Sequence, residues 1–142
     1  MIDRDALLAA LATFPDRLAA AARSAIDLPT ATGEWTPQQV VRHLVAVEVD
    51  VHQSRLRDLE MDDDPRWDWA EPGPWPDEPE LGLDGVLLRF EELRRTTLQT
   101  VAALDGTGWA RTGTHAQLGV FDVEALLENA RVHDEEHLLG LD

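Results

Sequence analysis

Three of the five histidines fall where a helix of this sequence would be expected to bury leucine. At about 100° per residue, His43 shares a helical face with Val40 and Val47, and His133 and His137 stack four residues apart on another helix. Burying an imidazole without partners is unfavourable, so three inward imidazoles need a shared reason. A divalent metal ion is the simplest such reason, since imidazole nitrogens are common metal ligands. Three nitrogen ligands would leave the remaining coordination positions open to water or substrate.

The identity of the metal and its chemistry stay open at this level. Zinc, nickel and iron all accept imidazole ligands. An H-x-x-x-H pair alone also occurs on helices where the two rings are simply solvated or packed. The run HDEEH at 133–137 is not the zinc-protease motif, because aspartate and not glutamate follows the first histidine. The pattern predicts a three-histidine metal site without naming a reaction.

Other side chains could support such a site. Asp50 is predicted on the face of His43, where it could orient an imidazole, act as a general base, or form a buried ion pair with an arginine. His115 precedes the last helix and is interpreted either as a loop-capping residue or as a residue that moves protons. His52 points away from the His43 face and is expected at the surface. Asp50 and His115 are the candidate catalytic residues.

Four stretches of helical periodicity must position these residues. The first covers 3–26 and contains Pro15, which is expected to kink or split it. The second begins at a capping box with proline at the first helical position, residues 36–39, and continues for about two dozen residues. The third covers 84–104, and Asp122 is the predicted N-cap of the fourth.

The absence of convincing period-two alternation predicts an all-α four-helix bundle, formed as a single domain over 1–142. Short strands within 107–120 would be compatible with it. Residues 61–82 contain five prolines and two glycines and are predicted to form a long loop between the second and third helices. The tryptophans of this loop either pin it to the bundle or wall a pocket. The candidate pocket residues are Trp35, Trp67, Trp69 and Trp75.

Composition limits the partners. The sequence contains 12 basic residues, all arginine, and 28 acidic residues, which gives a formal net charge of −16. Such a surface repels phosphate backbones and anionic lipid, so a small-molecule substrate is expected and neither nucleic acid nor membrane. The acidic N-terminus does not resemble a secretory signal, and we expect a cytoplasmic protein. Without cysteine, the chain needs a ligand to supply any thiol.

Three segments together resemble the DinB-like superfamily, also called the DinB/YfiT-like metalloenzymes. They are GEWTPQQVVRHL at 33–44, LRRTTLQTVAAL at 93–104 and HAQLGVFDVEALLENARVHDEEHLLGL at 115–141. The resemblance implies a four-helix bundle of DinB/YfiT-like type, often a homodimer, with one divalent ion held by His43, His133 and His137. It also implies transferase or isomerase activity that uses a low-molecular-weight thiol such as bacillithiol, mycothiol or glutathione. The tryptophan-rich loop has no counterpart in this resemblance.

Three functional hypotheses follow. In the first, a metal-dependent transferase activates water or an incoming thiol at the ion and delivers it to a small molecule. The second is metal-dependent hydrolysis of a small substrate. The third is a non-enzymatic stress-response module for dimerisation or binding, with a structural metal. The thiol hypothesis requires a local positive patch on this acidic protein, for which Arg42, Arg89 and Arg94 are the candidates.

Overall fold

The computed structural model describes residues 2–75 and 81–141. Four helical rods form a bundle, and a small sheet lies beside it. The elements are α1 (Arg4–Ala25), α2 (Pro37–Val47), a π-helical turn (Glu48–Gln53), α3 (Ser54–Met61), β1 (Arg66–Trp67), α4 (Gly82–Ala102), α5 (Gly106–Ala110), β2 (Gly113–His115), β3 (Gly119–Phe121) and α6 (Val123–Leu139). Helix α1 packs against α2, α4 and α6, and α2 also packs against α4. None of the described helices is both long enough and apolar enough to cross a membrane. The predicted four-helix bundle is confirmed.

The predicted helix starts are confirmed at atomic detail. The Thr36 hydroxyl accepts from the Gln39 amide at 3.2 Å, and the Gln39 side chain accepts from the Thr36 amide at 2.8 Å, which completes the capping box. The Asp122 carboxylate accepts from the Ala125 amide at 2.8 Å and caps α6. Each cap satisfies backbone donors that the first helical turn leaves unpaired.

Pro15 does not split α1, which runs unbroken through it. A proline has no backbone N–H to donate to the carbonyl four residues earlier, here that of Leu11. The guanidinium of Arg94 donates to this carbonyl at 3.0 Å instead. A long side chain from α4 therefore replaces the missing helical hydrogen bond, and helix α1 continues.

The second rod of the bundle consists of α2, the π-helical turn and α3. The π-helical turn changes which of its residues face inward. A wider turn advances fewer degrees per residue, so positions after Val47 rotate away from the face predicted from α-helical spacing. Glu48 becomes buried and Asp50 is exposed. The prediction that Asp50 lies on the inward face of His43 is therefore wrong.

The segment between the second and third rods is pinned to the bundle at both of its described ends. Residues 76–80 of the predicted loop lie outside the described residues. Trp67 lies in the apolar cluster around Leu11 and Leu127, and Trp75 packs on the cluster around Phe14 and Phe90. The stretch between them is thereby held over one side of the bundle.

A three-stranded sheet joins this loop to the segment before α6. Strand β1 pairs in parallel with β2, and β2 pairs antiparallel with β3, with Trp67 opposite His115. A Cβ at Gly113 would overlap the Trp67 ring and lie 2.9 Å from the Pro65 carbonyl oxygen. Only glycine therefore lets the strands approach this closely. The short strands anticipated within 107–120 are present, while β1 was not predicted.

Candidate metal centre

Three imidazoles from two helices converge on one point. His43 lies on α2, and His133 and His137 lie on α6. The Nε2 atom of His137 is 3.1 Å from Nε2 of His43 and 3.2 Å from Nε2 of His133. Around an ion with nitrogen ligands at about 2.0–2.1 Å in tetrahedral geometry, neighbouring nitrogens are about 3.3 Å apart. The rings are therefore already close to the spacing that a metal ion requires.

The ring of His43 is fixed in the tautomer that a metal ligand needs. Its Nδ1 lies 2.6 Å from the carbonyl oxygen of Pro72. A carbonyl can only accept, so Nδ1 carries the proton and donates it. The lone pair of Nε2 is then directed at the other two histidines. Such an outer hydrogen bond both orients an imidazole ligand and increases its basicity.

A carboxylate completes the cluster. Glu71 Oε1 lies 3.5 Å from His43 Nε2 and 3.8 Å from His133 Nε2. The four ligand atoms of His43, Glu71, His133 and His137 all lie within 4.8 Å of one another, an arrangement that could hold a metal ion. Glu71 was missed in the sequence because no spacing rule connects a loop acid to helical histidines. The adjacent Pro72, whose carbonyl binds His43, is what places it here.

Burial keeps the three imidazoles neutral. It lowers the pKa of His133 to about 3, with the charge of His137 as the next contribution. It also lowers the pKa of His137 to about 4. The pKa of His43 falls by burial as well, against the opposing effects of the Pro72 carbonyl and Glu71. At neutral pH these rings have free lone pairs, the form that binds metal.

These lowered pKa values predict that the metal-free protein loses stability in mild acid. As the pH falls below about 6.5, the unfolded chain takes up protons on these histidines, whereas the buried rings of His137 and His133 do not bind them until about pH 4 and about pH 3. The free energy of unfolding therefore decreases. His52 adds to the effect, since burial lowers its pKa to about 4 as well. Asp134, whose pKa burial raises to about 6, opposes it, but as one group against four.

Urea unfolding of metal-free protein at about pH 7.5 and about pH 5 measures this loss. The midpoint is expected to be lower at the acidic pH. The decrease should be shallower in a His133→Gln variant, which lacks one of the four titrating rings. Equal midpoints at the two pH values would show that these histidines are not buried in the metal-free protein.

A cavity of about 180 Å³ opens beside the cluster. His133, His137 and Glu71 line it at the metal centre. Its other walls include Arg55, His52, Trp69 and His115, contributed by the second rod, the long loop and the segment before α6. The cluster therefore borders a space in which a small molecule can lie.

Comparison with known proteins assigns the family. The family model described as the DinB superfamily matches residues 2–140. The chain belongs to the DinB superfamily. No curated protein matches it in sequence. Among solved structures, it is similar to YfiT from Bacillus subtilis, described as a probable metal-dependent hydrolase with an unusual four-helix bundle topology. The TM-score is 0.73 at 22% identity, over 97% of this chain and 85% of that chain. At this identity the likeness establishes the fold.

The two candidate catalytic residues of this DinB-superfamily chain occupy different environments. Asp50 is exposed and is not one of the four residues of the cluster. His115 is buried and lines the cavity, and its Nδ1 accepts the amides of Gln117 and Leu118 at 3.1 Å each. His115 thus caps its loop, as one interpretation held, and borders the site as well.

The expectation that His52 lies at the surface is wrong. The π-helical turn rotates it inward, and its ring centre lies 6.3 Å from that of His133. Its Nε2 is buried and has no hydrogen-bond partner among the described residues, and the same holds for Nδ1 of His133. Both nitrogens face the interior beside the metal centre.

The four candidate pocket tryptophans divide into two pairs. Trp69 is exposed and lines the cavity, and the Trp35 ring lies 4.7 Å from that of His43. Trp67 is buried, and its indole donates to Asp58 at 2.9 Å. Trp75 accepts from the Arg42 side chain through its carbonyl oxygen and packs on the core. The second pair serves to pin the loop.

The arginines expected to form a positive patch do not line the cavity in the described structure. Arg42 is bound to the Trp75 carbonyl, and Arg94 is buried between Glu48 and Asp134, with two acids to neutralise it. Arg89 lies on α4 and is not among the described residues that line the cavity. The arginine that borders the cavity is Arg55.

Proposed function

We propose that this chain is a metal-dependent enzyme in which His43, His133 and His137 hold one divalent ion and present it to a small molecule in the adjoining cavity. The convergence of three neutral imidazoles on one point, with Nε2 separations of 3.1 and 3.2 Å, carries the proposal. The open cavity beside them favours a working site over a structural one, because a structural metal is usually enclosed by protein ligands.

A bound divalent ion supplies a lowered pKa for a coordinated water or thiol, so that a nucleophile exists at neutral pH. The chain's own residues do the rest. The Pro72 carbonyl holds the His43 ring in place, and the Trp35 ring covers part of it. Glu71 Oε1, beside two of the ligand nitrogens, is placed to accept the proton that the nucleophile loses.

Transfer of a low-molecular-weight thiol to a small electrophile is the reaction we propose first. The chain has no cysteine, so sulfur chemistry in this site requires a thiol co-substrate. A DinB-superfamily chain with three histidines at the positions implied by the family resemblance supports this choice. The metal could be zinc, nickel or iron, all of which accept imidazole.

Hydrolysis of a small substrate is the second candidate. Glu71 beside the cluster favours it, since a carboxylate next to a coordinated water is the arrangement of a general base. YfiT, described as a probable metal-dependent hydrolase, shares the fold. This candidate needs no thiol.

A substrate panel separates the two candidates. Metal-loaded protein is assayed with bacillithiol, mycothiol or glutathione and an electrophile, and with esters, amides and phosphoesters without thiol. We expect thiol-dependent turnover that falls about 100-fold in Glu71→Gln, with metal affinity retained. Thiol-independent turnover would favour hydrolysis. Absence of all turnover, together with metal loss in Glu71→Gln, would instead indicate a closed structural site with four protein ligands.

A further inference from the structure

Arg55 is a buried guanidinium with few partners. Its residue is 7% exposed, yet it lines the cavity beside the metal centre. One of its five N–H groups donates to the Asp68 carbonyl oxygen at 3.3 Å, and its charge lies 5.6 Å from the Trp67 ring centre. In the part of the chain that the structure describes, no carboxylate lies within ion-pair distance of it. Buried charges in proteins are normally paired with an opposite charge, and Arg55 departs from this rule.

The contrast with Arg94 shows what a paired arginine looks like in this bundle. Arg94, which is more deeply buried than Arg55, donates to Glu48, Asp134 and the Leu11 carbonyl. The carboxylate that most affects Arg55 is Asp58, but Asp58 is already bound to the Trp67 indole at 2.9 Å. Asp58 thus makes no direct hydrogen bond to Arg55, and the remaining N–H groups of this guanidinium are available to the cavity.

His115 adds a hydrogen-bond donor on the same cavity wall. Because its Nδ1 accepts two backbone amides, the proton of the neutral ring is on Nε2. Burial, with Arg55 as the next contribution, lowers the pKa of His115, so the ring is neutral at pH 7. Among the described residues, its Nε2–H has no hydrogen-bond partner.

Two acids line the cavity in the described part of the chain, Glu71 and Glu136. Glu71 contacts the histidine cluster, and Glu136 is exposed on α6 beside His137. An anionic group in the cavity is repelled by these two carboxylates and attracted by Arg55. Among the described residues that line the cavity, Arg55 is therefore the side chain that attracts an anionic end of a ligand.

We propose that Arg55, assisted by Nε2–H of His115, binds the carboxylate of a small acidic substrate or co-substrate whose other end reaches the metal centre. The planar guanidinium matches a carboxylate with two parallel hydrogen bonds. A doubly charged phosphate is disfavoured by the net charge of −16. This inference rests on the proposed function in that it takes the histidine cluster as the reacting end, and it resolves how an acidic protein accepts an anionic thiol.

The test compares two thiols that differ in one charge. Cobalt-loaded protein is titrated with 3-mercaptopropionate and with uncharged 3-mercaptopropan-1-ol, and the absorption of the sulfur–cobalt bond is followed. The acid is expected to bind at least about tenfold more tightly. In Arg55→Gln this preference is expected to disappear, while the affinity for the alcohol stays unchanged. Arg57→Gln, an exposed arginine two residues away on the same helix, should behave as wild type.

Equal binding of the two thiols to wild-type protein, or equal weakening of both in Arg55→Gln, would overturn the proposal. If Arg55→Gln does not fold, Arg55→Lys replaces it. Its preference for the acidic thiol is expected to be reduced, because lysine keeps the positive charge but cannot donate two parallel hydrogen bonds to a carboxylate. Phosphate should displace the acid less well than propionate does, and the reverse order would contradict a carboxylate site.

A metal-free measurement separates this inference from the proposed function. Propionate added to the metal-free protein is expected to shift the nuclear magnetic resonance signals of the His115 ring and the Arg55 side chain. In Arg55→Gln, the shift of the His115 signal is expected to be absent. Failure of cobalt to bind, with these shifts present, would refute the metal centre and leave the carboxylate site intact. Cobalt binding without either the shifts or the thiol preference would refute the carboxylate site alone.

Discussion

Replacing His133 by alanine is expected to abolish metal binding. Wild-type protein purified without an affinity tag should carry about one ion per chain by elemental analysis, and the variant none. The reason is geometric: His133 contributes one of three nitrogens held at ligand spacing. The remaining two nitrogens, with the half-exposed Glu71 carboxylate, are expected to bind the ion too weakly to retain it through purification. His43→Ala and His137→Ala are expected to behave in the same way.

His52→Ala is the matched control for these variants. Its ring is 6.3 Å from that of His133 and equally inside the bundle, but it is not among the four residues whose ligand atoms lie within 4.8 Å of one another. It should therefore retain the ion. Thermal unfolding with and without chelator should show an ion-dependent rise in Tm for wild type and His52→Ala only. Equal metal content in wild type and His133→Ala would remove the site.

The elements that hold the candidate ligands follow from local sequence signals. The capping box at Thr36 starts α2 seven residues before His43, and Asp122 starts α6 before the other two histidines. From there, a regular 3.6-residue period carries each ring to its inward position, because α2 up to Val47 and all of α6 keep α-helical geometry. The inward position of each ring was therefore predictable from spacing.

The parts of the site that depend on contacts distant in sequence were not predictable in this way. The π-helical turn moves Asp50 outward and His52 inward, and no residue type in Glu48–Gln53 predicts such a turn. It coincides with Glu48, whose carboxylate meets Arg94 from α4 and the Thr97 hydroxyl at 2.7 Å. The loop acid Glu71 likewise takes its place only because the loop is pinned at both ends. Period-based reasoning assumes one helical period and no such partners.

The same tertiary dependence explains why α1 is not split at Pro15. A proline inside a helix leaves one carbonyl unpaired, and local rules then predict a break or a kink. Here Arg94 donates to that carbonyl while also binding two acids. One side chain on α4 thus contacts α1 at the Leu11 carbonyl, Glu48 in the π-helical turn and Asp134 next to His133.

Arg94→Leu is accordingly expected to be the most destabilising single change, by about 3–5 kcal/mol in the free energy of unfolding. Burial opposes ionisation of Glu48, but Arg94 lowers its pKa below the ordinary value, and burial raises the pKa of Asp134 to about 6 against the same arginine. Without Arg94, both acids are left buried and unpaired. Urea unfolding measures the loss through the midpoint at constant slope.

Arg95→Leu is the control for this prediction, since its exposed pair with Glu91 at 3.1 Å is worth only about 0.3–0.5 kcal/mol. A triple variant that also carries Glu48→Leu and Asp134→Leu should recover much of the lost stability, because burying unpaired acids, not losing the ion pairs, causes the damage. A loss in Arg94→Leu no larger than in Arg95→Leu would show that water or a rearranged α1 satisfies these acids. In that case, contacts other than the ion pairs of Arg94 with Glu48 and Asp134 would hold α6 and its two histidines against the second rod.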